Sequence, residues 1–159
     1  MRALHRLIRW LGHRRWFAAA GRRFGAPLDR LLYRLTRGRV TTTAGAAPVL
    51  LLTTTGRRSG KPRTTPVMYL RDGDRFVVTC ENFGQQRPAA WPLNLLADPR
   101  ATVQAGGDVV PCRARLLSEE EADAYWPRMV EVWPAHESYR ARSGTRHTFV
   151  LDPLAGELF

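Results

Sequence analysis

Residues 49–80 read VLLLTTTGRRSGKPRTTPVMYLRDGDRFVVTC. Three short runs rich in β-branched and aromatic residues, Val49–Thr54, Pro66–Leu70 and Arg75–Cys80, alternate here with turn chemistry. Asp72-Gly73-Asp74 is a tight turn between the second and third runs. Further along, Ala101–Ala105 and Val109–Leu117 flank a second turn, Gly106-Gly107-Asp108, and His147–Leu151 closes the series. Two hairpins and two further strands predict a small, mostly antiparallel barrel of the α+β class. Helical segments interrupt it. One covers Ala90–Ala97 and stops before Pro99. The other starts at Ser118, where Ser-Glu-Glu-Glu forms a capping box with Glu121, and runs on through Tyr125 and Trp126. Pro127 and Pro134 are expected to kink or divide it.

Outside this body the composition changes. The 159 residues carry 25 basic against 14 acidic side chains, a net charge of +11. Residues 1–40 hold eleven arginines against a single acid, Asp29, whereas residues 41–159 hold fourteen basic and thirteen acidic residues. The basic character therefore belongs to an arm, residues 1–40. Residues 41–48 form a linker, and residues 49–159 form the folded body. In the arm, Leu4, Leu7, Ile8 and Leu11 follow the spacing of one helix face, and Leu28, Leu31, Leu32 and Leu35 repeat it. Trp10, Trp16 and Phe17 add rings of the kind that settle at a lipid interface.

Two readings of the arm stay open: a helix lying on an anionic membrane surface, and two helices packed on the barrel with arginines in water. On the first reading the arm should be dispensable for ligand binding by the body. Nucleic acid fits less well, because the arm lacks a helix-turn-helix or zinc-finger pattern. No apolar run is long enough to span a bilayer, and no secretory apolar region is present. An arginine-rich amphipathic start also mimics an organelle transit peptide, a minor alternative. The expected location is cytoplasmic, with peripheral attachment to the inner face of the cell membrane under the membrane reading. The oligomeric state stays open.

Cys80 and Cys112 are not in a C-x-x-C pair and read as two reduced, buried thiols. His5, His13, His136 and His147 lack the spacing of a metal site, so no metal is expected.

Three constellations are candidates for chemistry. In the first, residues 53–63, four cations, two glycines and several hydroxyls crowd eleven residues. Glycine lets backbone N–H groups approach an anion, and arginine grips phosphate or carboxylate through paired hydrogen bonds. Only three residues separate Gly56 from Gly60, which excludes a Walker loop. The alternative is a solvated hairpin tip. Second, Trp91 and Asn94 share a helix face and could border a planar ring; the alternative is a core tryptophan with a terminal asparagine. Third, Trp133, His136 and Tyr139 fall on one side of a helix and could wall a substrate pocket, or could be ordinary packing.

Together these segments resemble the deazaflavin-dependent nitroreductase family. The match is carried by residues 51–63, Leu70–Gly73, Trp91 with Asn94-Leu95, Ala97-Asp98-Pro99, Tyr125-Trp126-Pro127 and Val150–Pro153. It spans about residues 48–153, and the Thr-Gly-Arg-x-Ser-Gly-x-Pro-Arg segment is its most specific part. The resemblance implies a split β-barrel that binds coenzyme F-420. It implies that Thr53, Arg57, Arg58, Ser59, Gly60, Lys61, Pro62 and Arg63 hold the coenzyme's phosphate and anionic glutamate tail. Asn82, Ala90, Trp91 and Asn94 would lie near the deazaflavin. Tyr139 matches a family tyrosine that positions or protonates substrate. Trp133 and His136 stand where the family's substrate wall often carries tyrosines, and Met68 where it can carry another.

The implied activity is hydride transfer from the reduced coenzyme to a quinone, an activated alkene or ketone, or a nitro compound. His136 rivals Tyr139 as the proton donor, since an imidazole titrates close to neutrality. Two other functions remain open: a barrel of the same kind holding FMN, and a non-catalytic cofactor-binding or membrane-associated protein.

Overall fold

The structure, a computed structural model, describes residues 2–36, 46–143 and 146–154. Six strands form β1 (Val49–Thr55), β2 (Pro62–Asp72), β3 (Arg75–Cys80), β4 (Arg100–Ala105), β5 (Asp108–Leu116) and β6 (His147–Pro153). They close into a barrel in the order β1-β2-β3-β6-β5-β4. Every neighbouring pair is antiparallel.

β2 is longer than its composition indicates, beginning at Pro62 instead of Pro66. Its first half, a Thr-rich stretch with no apolar alternation, is held by pairing with β1: Leu52 faces Thr65, and Thr53 faces Thr64 with hydroxyls 2.9 Å apart. β3 joins β2 only from Tyr69 onward. Pro66 thus lies where β2 has one neighbour, the setting in which a strand tolerates proline.

Alternation along the strands builds the core. Leu50, Leu52, Phe76, Val78, Val103, Cys112, Phe149 and Leu151 point inward. The opposite faces of β2, β3 and β6 give Leu70, Val77 and Val150, which pack under α5 (Glu119–Val132) through Ala122 and Met129. Cys80 and Cys112 are both free and buried. Burial pushes each thiol up to about 11, so neither is a thiolate near neutrality.

α4 (Ala90–Ala97) occupies the expected residues. α5 opens on the expected capping box: Glu121 N–H donates to Ser118 Oγ at 3.2 Å, and Ser118 N–H donates to Glu121 Oε2 at 2.9 Å. Pro127 does not end α5, but Pro134 does divide the chain. Trp133, the residue before that proline, takes an extended conformation (φ −145°, ψ 98°), as sterics before proline demand. α6 (Ala135–Arg142) then begins. The single aromatic stripe is therefore corrected: His136 and Tyr139 share α6, while Trp133 sits at the junction before it.

The arm contributes α1 (Arg2–Leu11), α2 (Arg15–Ala20), a π-helical turn at Gly21–Gly25 and α3 (Ala26–Thr36). Part of the expected linker, residues 41–45, lies outside the described residues; Ala46 and Ala47 are buried. The arm is docked on the body. Arg9 donates to the carbonyls of Ala46, Glu131 and Val132. Tyr33 is fully buried, and its hydroxyl donates to Gln104 O at 2.8 Å while accepting from Gly106 N–H at 2.7 Å. The outer face leaves Leu4, Leu7, Trp10, Trp16, Leu28 and Leu35 exposed. No helix among the described residues is long and apolar enough to cross a membrane.

Candidate functional site

The β1–β2 connection is a tight, cation-bearing loop, and its glycines have specific jobs. Gly56 N–H donates to Lys61 O at 2.9 Å and Gly60 N–H donates to Gly56 O at 2.7 Å, closing the turn. Gly60 adopts φ +66°, a left-handed conformation that disfavours side chains. A Cβ on Gly56 would lie 2.7 Å from Ser59 Oγ. The loop conformation follows from these two glycines, and it leaves Arg57, Arg58 and Lys61 exposed.

Asn94 of α4 fixes this loop from below. It is 3% exposed; its Oδ1 accepts from Arg57 N–H and its Nδ2 donates to Thr54 Oγ1, each at 3.1 Å. Both ends of its amide are thus used to join α4 to the hairpin.

Loop, α4 and arm together enclose a groove of about 950 Å³. From the sequence-predicted set it is lined by Arg57, Arg58, Ser59, Pro62, Arg63, Ala90 and Asn94. Four further lining residues were not foreseen: Pro27, Arg30, Leu31 and Arg34 of α3. Five guanidinium groups line the groove, and no carboxylate does among the described lining residues. Its volume suits a ligand of cofactor size, since such sites run to roughly 300–1,000 Å³.

The remaining predicted residues lie elsewhere. Gly60 and Lys61 form the loop tip, and Thr53 spends its hydroxyl on Thr64. Trp91 packs in the barrel core, 5.9 Å from the Phe149 ring between centroids. Asn82 opens three successive left-handed residues, Asn82, Phe83 and Gly84 (φ 44°, 56° and 78°). Its amide donates to Gln85 Oε1 and Arg87 O.

Met68, Trp133 and Tyr139 gather in a separate cluster under the arm, with Ile8 and Ala18. The Tyr139 hydroxyl donates to Gly12 O at 3.0 Å. Burial raises its phenol above the usual 10.0, more than the Trp133 N–H and the Arg142 charge lower it. His136 is 5% exposed, and its Nδ1 lies 3.1 Å from Glu81 Oε2. Glu81, itself buried, also accepts from Thr79 Oγ1 at 3.1 Å. Nε2 of His136 is buried without a hydrogen-bond partner. Among the described residues no cluster of three or more metal-ligating side chains occurs.

A closed antiparallel barrel whose first hairpin holds a cationic loop over a groove defines a protein of the split-barrel class. The chain belongs to the F-420H(2)-dependent quinone reductase family, whose model matches residues 28–153. It is 40% identical over 89 residues to an F-420H(2)-dependent quinone reductase of Mycobacterium tuberculosis, a match covering 54% of this chain and 60% of that relative. It is similar to the solved structure of an F-420-H2-dependent reductase: 31% identity, TM-score 0.61, 66% of this chain and 94% of the other. A second solved chain, described as a domain-swapped dimer, aligns with TM-score 0.63 at 28% identity over 79% of this chain and 99% of the other.

Proposed function

We propose that this chain binds reduced coenzyme F-420 in the groove between the β1–β2 loop, α4 and α3, and reduces a quinone. The observation that carries the reading is the groove's composition: five guanidinium groups and no carboxylate among the described lining residues. That donor set suits a ligand with a phosphate and several carboxylates. FMN, with one phosphate and no glutamate tail, would leave most of those cations unmatched, so F-420 is favoured over it. The reduced deazaflavin supplies the hydride when bound.

The chain's own share is to bind, orient and protonate. Arg57, Arg58 and Arg63 take the anionic groups, Ser59 and the loop N–H groups assist, and Ala90 and Asn94 border the ring. A hydride and a proton together convert a quinone into its hydroquinone. Tyr139 or His136 is the proton source we assign, with Met68 and Trp133 on the acceptor's side; none of the four is among the residues that line the groove itself.

Titrating the protein with F-420 and with FMN by fluorescence, then following oxidation of the reduced coenzyme by menadione, tests the reading. Changing Arg58 and Arg63 together to alanine should weaken F-420 binding more than about tenfold, since a charged hydrogen bond contributes about 1.5–3 kcal/mol. Equal binding by the variant rejects the loop assignment. Binding without turnover on any acceptor favours a non-catalytic module.

The exposed outer face of the arm supports a second proposal, peripheral attachment to an anionic membrane. Leu4, Leu7, Trp10 and Trp16 are each about half or more exposed, amid arginines that contribute about 1 kcal/mol apiece near such a surface. Replacing Leu4, Leu7 and Trp10 by serine should abolish sedimentation with phosphatidylglycerol vesicles. Equal sedimentation of variant and wild type would reject attachment through this face.

A further inference from the structure

We infer that α3 is a wall of the coenzyme site, with Arg30 and Arg34 clamping the distal, glutamate-bearing part of the tail. The inference rests on the coenzyme reading above and deepens it. Pro27, Arg30, Leu31 and Arg34 line the groove, and their spacing is that of one continuous helix face. Two arginines one turn apart project from that face, separated by about 6 Å of helical rise. Arg57, Arg58 and Arg63 line the same groove. The β1–β2 loop and α4, through Ala90 and Asn94, supply the rest of the lining. Arg30 and Arg34 are α3's contribution to its positive charge.

The placement of α3 is built rather than incidental. Tyr33, on the adjacent face, is fully buried and bridges Gln104 O and Gly106 N–H at the β4–β5 turn. A phenol that satisfies a donor and an acceptor of the body fixes the rotation of α3 about its axis. That rotation directs Arg30 and Arg34 to the groove. The arm is then not dispensable for ligand binding, contrary to the expectation attached to the membrane reading.

A ligand that carries only a ring and a sugar-like chain would not engage this wall, whereas a string of carboxylates would. The clearest test compares two ligands on the full-length protein. One is F-420 with its glutamate tail; the other is the deazariboflavin core, which lacks phosphate and glutamates. Arg30→Gln combined with Arg34→Gln should weaken F-420 binding about tenfold or more and flatten its salt dependence, while affinity for the core stays unchanged. Arg34→Glu alone, at an exposed position, should weaken F-420 at least as much. The melting curve of the Arg34→Glu variant should match wild type.

Unaltered F-420 affinity in both variants would overturn the α3 clamp and leave the coenzyme reading standing. Equal loss for F-420 and for the core would overturn the tail assignment, because the damage would not depend on the carboxylates. No F-420 binding by wild type would overturn the coenzyme reading itself, and the clamp with it.

Discussion

Tyr139 and His136 sit one turn apart on α6, yet their surroundings differ. The Tyr139 hydroxyl is committed to Gly12 O, and its ring is edged by Phe83 at 5.8 Å between centroids. His136 holds Glu81 through Nδ1, with its ring beside Trp126 and Tyr139. Removing water disfavours the phenolate, and this raises the Tyr139 phenol above 10.0. Near neutrality Tyr139 is therefore a hydrogen-bond and proton donor, not a base. The sign for stability follows: the preference of the fold for the neutral phenol is fully present below pH 10.0 and is lost as pH rises through the higher folded value. The difference in phenolate absorbance between wild type and Tyr139→Phe should show a group titrating above 10.0. Tyr139→Phe should be less stable by about 1 kcal/mol at neutral pH, where the hydrogen bond to Gly12 is lost. That deficit should shrink as pH climbs past 10.0, because wild type alone loses stability there. A phenol that titrates at or below its ordinary value would contradict the burial. If Tyr139 also protonates the product, Tyr139→Phe should slow quinone reduction about 10²–10⁴-fold.

Elements set by local chemistry were legible in the sequence. The capping box at Ser118, the stop of α4 before Pro99 and the turns at Gly73 and Gly106 all form where composition places them. Elements set by pairing or docking were not. The first residues of β2, Pro62–Thr65, carry no strand pattern of their own and are extended by their β1 partners. α2 and the π-helical turn after it show no periodicity long enough to read, so only their aromatics stood out. The same division holds at the site. The GRRSGKPR loop is conspicuous because glycine and charge are concentrated there. Asn94 was expected beside a ring; it lines the groove, and its side chain also joins α4 to the loop, a role invisible in sequence because a buried amide with two partners looks there like any asparagine. The arm's arginines, Arg30 and Arg34 among them, were left between a membrane surface and water, because amphipathic periodicity gives the face a residue occupies, not what that face meets. Glu81 and His136 are 55 residues apart, and only the packing of α6 on the Asn82–Gly84 turn after β3 brings them together.

At the scale of the whole molecule, the arm touches the body at two places with different consequences. At the corner after α1, Gly12 lies so close to Trp133 that a Cβ there would come within 2.5 Å of the indole ring and 3.1 Å of Ala135 Cβ. Trp133 is 3% exposed and cannot move aside cheaply. At α3, Tyr33 bonds to the β4–β5 turn. Separate variants should therefore separate the two contacts. Gly12→Val forces the corner off Trp133 and Tyr139. Its melting temperature should fall, iodide should quench more of the tryptophan fluorescence, and F-420 affinity should hold, because Tyr33 still seats α3. Tyr33→Phe leaves the corner in place and strands two polar groups of the β4–β5 turn, at a cost of about 1–3 kcal/mol. It should weaken F-420 several-fold through the loosened α3 and leave tryptophan quenching unchanged. Parallel effects of the two variants on both readouts would mean that the arm docks as one rigid piece, and that coenzyme groove and aromatic cluster are covered together.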